Sequence, residues 1–156
     1  VRFDIQPYGG ALPITFGMHQ RDVHSILGPP ETSIPIWNKS GFAEHYVGGR
    51  YNIGYDNGWI VKHLGFGPAS VELGIRGQMI WTLNDQPDPN PILLALDPEP
   101  LERVGFWIFV RIGVTTTGYH DDDPGQLAIT VFPRNGSWGE LLTKAKPADT
   151  TKYRPK

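Results

Sequence analysis

The segment Phe16–Pro30 constrains this chain more than any other stretch. Met18, Val23, Ile26 and Leu27 recur at roughly helical spacing and make one apolar stripe, which predicts a short amphipathic helix over 18–27. The helix has a hard stop. Gly28 can take the left-handed conformation that ends helices, and Pro29-Pro30 cannot continue one. Beyond Pro30 the chain turns to an aromatic-rich pattern of short strands, without an accompanying nucleophile motif, metal cluster or phosphate loop.

The strands are read from alternation and punctuation. The chain of 156 residues carries 19 glycines and 15 prolines, spread out as turns, which favours many short strands over long helices. Tyr51–Tyr55 alternates, Asp56-Asn57-Gly58 turns, and Trp59–Phe66 returns; Asn-Gly is a strong hairpin signal because both residues tolerate positive φ. His45-Tyr46-Val47 supplies a preceding strand, and Ser33–Glu44 a loop or a short strand and turn. Val71–Ile75 alternates and is extended toward Trp81. Asn90 is placed to cap a second helix, with Pro91 at its first position and Ile92–Leu96 completing it. Val104–Val110, Ile112–Tyr119 and Gln126–Phe132 are further strands, and His120–Gly125 is a turn. Val1–Leu12 reads as irregular or as one edge strand, Leu141-Leu142 as a final helical turn, and 144–156 as a flexible tail.

These elements predict one α+β domain over 1–143: a curved, mainly antiparallel sheet with two short helices on one face. The Tyr55–Phe66 hairpin resembles Tyr119–Phe132, and each closes on a phenylalanine after a short helix. Two tandem helix-plus-hairpin units, 14–66 and 71–138, are one organisation. A chance likeness of two hairpins is the other.

Length and charge narrow the function. Lys plus Arg is 14 against 16 Asp plus Glu, a formal charge of −2, so no basic excess points to nucleic acid or an anionic membrane. The chain has no cysteine, which removes disulfides, thiolate chemistry and cysteine-bound zinc and agrees with a reducing cytoplasm, the expected location. No apolar run reaches membrane-span length, and Val1–Asp4 lacks the charged and apolar regions of a signal peptide. The first residue is Val1, not an initiator methionine, which suggests a trimmed or mature chain and leaves the question of a removed leader open.

The Gly17-Met18, Val23, Ile26-Leu27-Gly28-Pro29-Pro30 pattern, with Tyr46 and the Tyr51–Phe66 hairpin, resembles the small outer-membrane lipoproteins of the SmpA/OmlA type and the β-lactamase-inhibitor-protein fold. The likeness covers about Ile14–Phe66 and implies a helix packed on a curved antiparallel sheet, often in tandem. Those lipoproteins carry a lipidated cysteine that this chain lacks. The whole layout, with Gly105-Phe106-Trp107, Ile112-Gly113-Val114, Leu127–Phe132 and Gly136-Ser137-Trp138, is similar to cytoplasmic immunity proteins of bacterial polymorphic-toxin systems. That likeness implies a protein that binds one cognate toxin and blocks it without catalysis.

The residues themselves offer few rival sites. His19 and His24 are five apart and do not stack on one helix face; His45 and His63 meet only if their strands are brought together. Asp121-Asp122-Asp123 lacks the alternating ligands and distant glutamate of a calcium loop, so it reads as a solvated hairpin tip or as an acidic surface meeting a basic partner. Ser25 directly follows His24 and Ser70 lies in a loop, with no nucleophile elbow around either. Trp59, Trp37 and Tyr119 lie in or beside turns, where aromatics serve as interface anchors; Phe66, Trp107, Phe109 and Phe132 belong to the core. The expected function is therefore a non-enzymatic toxin inhibitor with no cofactor and no metal. Its expected partner-binding residues are Asp121, Asp122, Asp123, Tyr119, Trp59 and Trp37. An adaptor of an envelope assembly complex and a small ligand-binding or hydrolytic enzyme remain the alternatives.

Overall fold

The computed structural model describes residues 1–36, 39–68, 71–134 and 138–155, with backbone only over 138–140. In chain order, the first elements are β1 (Arg2–Gln6), β2 (Gly10–Leu12), β3 (Ile14–Thr15), α1 (Gln20–Leu27), β4 (Thr32–Pro35), β5 (Gly41–Tyr46), β6 (Tyr51–Asp56) and β7 (Val61–Phe66). Then come β8 (Glu72–Ile75), β9 (Gln78–Trp81), α2 (Asn90–Leu96), β10 (Leu101–Arg103), β11 (Phe106–Phe109), β12 (Val114–Thr117) and β13 (Ala128–Val131). The chain closes with α3 (Trp138–Thr143), β14 (Lys146–Pro147) and a 3-10 turn, Thr151–Tyr153.

The strands form two sheets. The larger has nine strands in the order β14-β10-β11-β12-β13-β7-β6-β5-β4, and the smaller has five in the order β3-β2-β1-β8-β9. Every pairing is antiparallel except β1 with β8. The α+β, mainly antiparallel reading therefore holds, with two sheets in place of one. In the large sheet, α1 precedes the meander β4–β7 and α2 precedes the meander β10–β13. The last strands of the two meanders pair with each other, Leu64 opposite Val131 and Phe66 opposite Ile129.

One face of the large sheet carries the core. Glu44 of β5 meets α1, Thr116 of β12 meets Asn90 of α2, and Phe3 of β1 packs on Tyr51 and Phe66. Both predicted helices and the small sheet thus lie on the same side. Antiparallel partners share a face, so Ile53, Leu64 and Val131 point into this core, where all three are fully buried. Phe66, Trp107, Phe109 and Phe132 are buried as predicted.

Several local readings need correcting. The N-terminal segment is a three-strand meander whose β1 lies inside the small sheet, not at its edge. α1 starts at Gln20, with the His19 imidazole capping the Arg21 amide at 3.1 Å, and Ile26 of the predicted stripe is exposed. Asn90 does not cap α2: its side chain turns inward to Thr116 and Tyr153, and the Asp88 carboxylate accepts from the Asn90 amide. The Asn57-Gly58 hairpin exists, but positive φ falls on Trp59 (61°), because Asp56 closes a three-residue loop with Trp59 and Ile60. Two-residue turns with consecutive positive φ occur instead at Arg76-Gly77 and Val104-Gly105. Val104 therefore lies outside the strand predicted to begin there, and turns the chain between β10 and β11.

The segment 144–156, expected as a flexible tail, is placed against the body over its described residues. Lys146 and Pro147 pair with β10, and Tyr153 packs edge-on against Trp107 at 5.5 Å.

Candidate functional site

The acidic turn is built by the β12–β13 connection. Gly118, at φ 84°, is required there: a Cβ would sit 2.6 Å from the Asp123 carbonyl oxygen. The Gly118 carbonyl accepts from the Asp123 amide at 2.8 Å, and the Asp123 carboxylate accepts from Gly125 at 3.1 Å. These bonds hold Asp121, Asp122 and Asp123 out in solvent on an ordered loop. Asp121 has no ion-pair partner among the described residues. Asp122 pairs with Lys152 at 2.8 Å.

Beside this turn lies a groove of about 410 Å³. Pro124, Leu127 and Gly118 make its apolar wall, and Asp88, Tyr119, Asp122 and Lys152 supply the polar groups. Its far wall is tied down by a chain of hydrogen bonds that starts in the core and ends half-buried at Asp88. Thr116 donates to the Asn90 side-chain carbonyl (2.8 Å), the Asn90 amide group donates to the Tyr153 hydroxyl (3.1 Å), and Tyr153 donates to Asp88 (2.5 Å). Burial, then the bond to Asp88, pushes the Tyr153 hydroxyl pKa up, so it stays a donor. Lys152 spans the mouth, donating to the Tyr119 carbonyl at 2.9 Å and to Asp122.

Tyr119 is not the exposed anchor predicted from its place beside the turn. It is 8% exposed, and its hydroxyl has no hydrogen-bond partner among the described residues. Burial, and then the charge of Asp88, raises its pKa. Trp59 is also half-covered, stacked on Phe42 at 4.5 Å with planes 6° apart. It does not join the acidic turn. β7 and β13 are antiparallel, so the loop before β7 and the loop before β13 project from opposite ends of the sheet. The separation is roughly 20 Å along the strands. Trp37 and Ser70 lie outside the described residues.

A second polar surface lies on the opposite face of the large sheet, half-buried along β5, β6, β7 and β13; farther across the same face Thr115 and Ile108 are fully buried. His45, Asn52, Gly65 and Thr130 lie in one cross-strand row, and Ala43, Gly54 and His63 in the next. His45 and His63 share this face but do not meet, because β6 runs between their strands. No group of three metal-capable side chains occurs among the described residues, and no helix there is long and apolar enough to cross a membrane.

Sequence reasoning missed Asp88, Lys152 and Tyr153. By sequence Asp88 reads as loop and the other two as tail, and only the tertiary pairing of β14 with β10 brings them to the turn. Chemically the groove offers carboxylates and a carbonyl above an apolar wall, with the unpartnered Tyr119 hydroxyl buried behind it, which suits a cation on an apolar stem. Compared with known proteins, the chain matches no protein-family model, no curated protein and no solved structure.

Proposed function

We propose that this protein is a non-enzymatic inhibitor, an immunity protein that binds a cognate bacterial toxin and neutralises it in the cytoplasm. The observation that carries this reading is the acidic turn: three consecutive exposed carboxylates on an ordered loop, one of them paired with a lysine, beside a groove with an apolar wall. Preformed negative charge of this kind steers a basic partner and sets the orientation of docking, while the apolar wall supplies area to bury. A nuclease-type toxin with a basic cleft is the fitting class of partner.

The test is growth of cells expressing the toxin encoded beside this chain's gene, with and without the chain. Protection is expected. Replacing Asp121, Asp122 and Asp123 together by alanine should leave the fold intact, because the tip buries little. It should slow association about tenfold or more at low ionic strength and much less at high salt. A chain that protects against no neighbouring toxin would sink the reading. Unchanged association rates would remove the turn from the interface.

A further inference from the structure

We propose that the groove between Asp88, Tyr119 and Asp122 is a socket for one arginine side chain of the partner protein, and that Lys152 holds its place in the free molecule. The inference rests on the toxin-binding reading for the identity of the partner, but the socket is argued from its own geometry. A cation already sits at its mouth: the Lys152 ammonium donates to the Tyr119 carbonyl at 2.9 Å and to the Asp122 carboxylate at 2.8 Å. It leaves other acceptors unused. The Asp88 oxygens each take one bond, from the Asn90 amide and from the Tyr153 hydroxyl, and a carboxylate oxygen can accept a second. The Tyr119 hydroxyl, on a side chain more than nine-tenths buried in the groove wall and within the field of Asp88, has no partner among the described residues. A buried hydroxyl without a partner marks a place that a ligand group completes.

Guanidinium suits this set better than ammonium. It presents five donors in a fixed fork and is more weakly hydrated, so one side chain can serve more than one acceptor. Its three-carbon stem would lie along Pro124 and Leu127, the apolar wall. Lys152 is a weak competitor. Its pair with Asp122 is solvent-exposed, and such pairs contribute little to stability, so the lysine can swing out when a better donor arrives.

The experiment uses the full chain and a capped pentapeptide of one arginine flanked by glycines, with the neutral citrulline peptide as control. Backbone resonances of Tyr119 and Lys152 are tracked by NMR titration. The arginine peptide should give saturable shifts and the citrulline peptide none. Lys152→Met, which keeps the stem and removes the competing charge, should tighten arginine binding about twofold to fivefold. Tyr119→Phe should weaken it about threefold while leaving thermal stability unchanged or raised, since the hydroxyl it removes satisfies nothing in the free protein. If Lys152→Met loosens the C-terminal segment, seen as lost native shifts at Tyr153, then Asp122→Asn decides: weakened arginine binding supports the socket and unchanged binding overturns it. Absent saturation, equal binding of citrulline, or weaker binding in a well-folded Lys152→Met protein each overturns the socket. Protection in cells without arginine binding would remove the socket and keep the inhibitor. Arginine binding without protection would do the reverse.

Discussion

His63 lies across Gly54 on the face of the large sheet that points away from the helices. A Cβ at Gly54 would sit 2.0 Å from the His63 ring, so the glycine exists to let the imidazole lie flat. Burial, then the neighbouring charge of Lys62, lowers the His63 pKa from 6.5 to about 4. The unfolded chain therefore takes up a proton that the folded chain refuses. The stabilisation linked to this group is fully present above pH 6.5 and is lost as the pH falls toward 4, by on the order of 3 kcal/mol. Urea denaturation at pH 7 and pH 4.5 should show this loss in the native sequence and a smaller one in His63→Gln. Equal pH dependence in the two proteins would refute the assignment. None of this was legible in the sequence, where His63 is one of five histidines and Gly54 reads as a strand residue. Only the register of β6 with β7 sets them face to face.

At the scale of elements, α1 is attached to the sheet by more than its apolar stripe. Val23 alone is fully buried from the helix, and Ile26 faces out. The second attachment is polar. Glu44, 2% exposed in the middle of β5, accepts from Gln20 and shares a bond with His24, each at 2.7 Å. Glu44→Ala leaves Gln20 and His24 without their acceptor and opens space beneath the helix. A stability loss of about 2–4 kcal/mol is expected from chemical denaturation, with α1 amides losing exchange protection first. A loss under about 0.5 kcal/mol would mean the helix is held by Val23 and its neighbours alone. The helix and its end were readable from spacing and from the Gly28-Pro29-Pro30 stop. The buried glutamate was not, since alternation in β5 predicts an apolar residue between Phe42 and Tyr46.

For the whole molecule, the seam between the two meanders is decisive. β7 and β13 are interior strands, flanked by β6 and β12, and their core-facing residues Leu64, Phe66, Ile129 and Val131 are at most 1% exposed. Amides bonded across this seam should exchange only through global unfolding, while those of the β4 edge and the acidic turn exchange by local opening. Native-state hydrogen exchange checks this. Faster exchange at the seam than at β5 would show two independently opening halves.

The sequence by itself determined the local elements of this protein: the existence of α1 and its stop at Gly28, the β6–β7 hairpin, α2, and the strands that supply most of the core. Each rests on interactions within a few residues, such as side-chain periodicity, a glycine with positive φ or a missing proline N–H. Even there, which turn residue took positive φ passed from Asn57-Gly58 to Trp59, because the Asp56 carboxylate bonds the loop amides. The tertiary structure decided everything that depends on long-range register. It divided the strands into two sheets, sent Trp59 and the acidic turn to opposite ends, buried Tyr119, and carried Lys152 and Tyr153 back to a turn some thirty residues earlier. Such pairings are chosen by the packing of one whole face against another, a quantity that no short window of sequence contains.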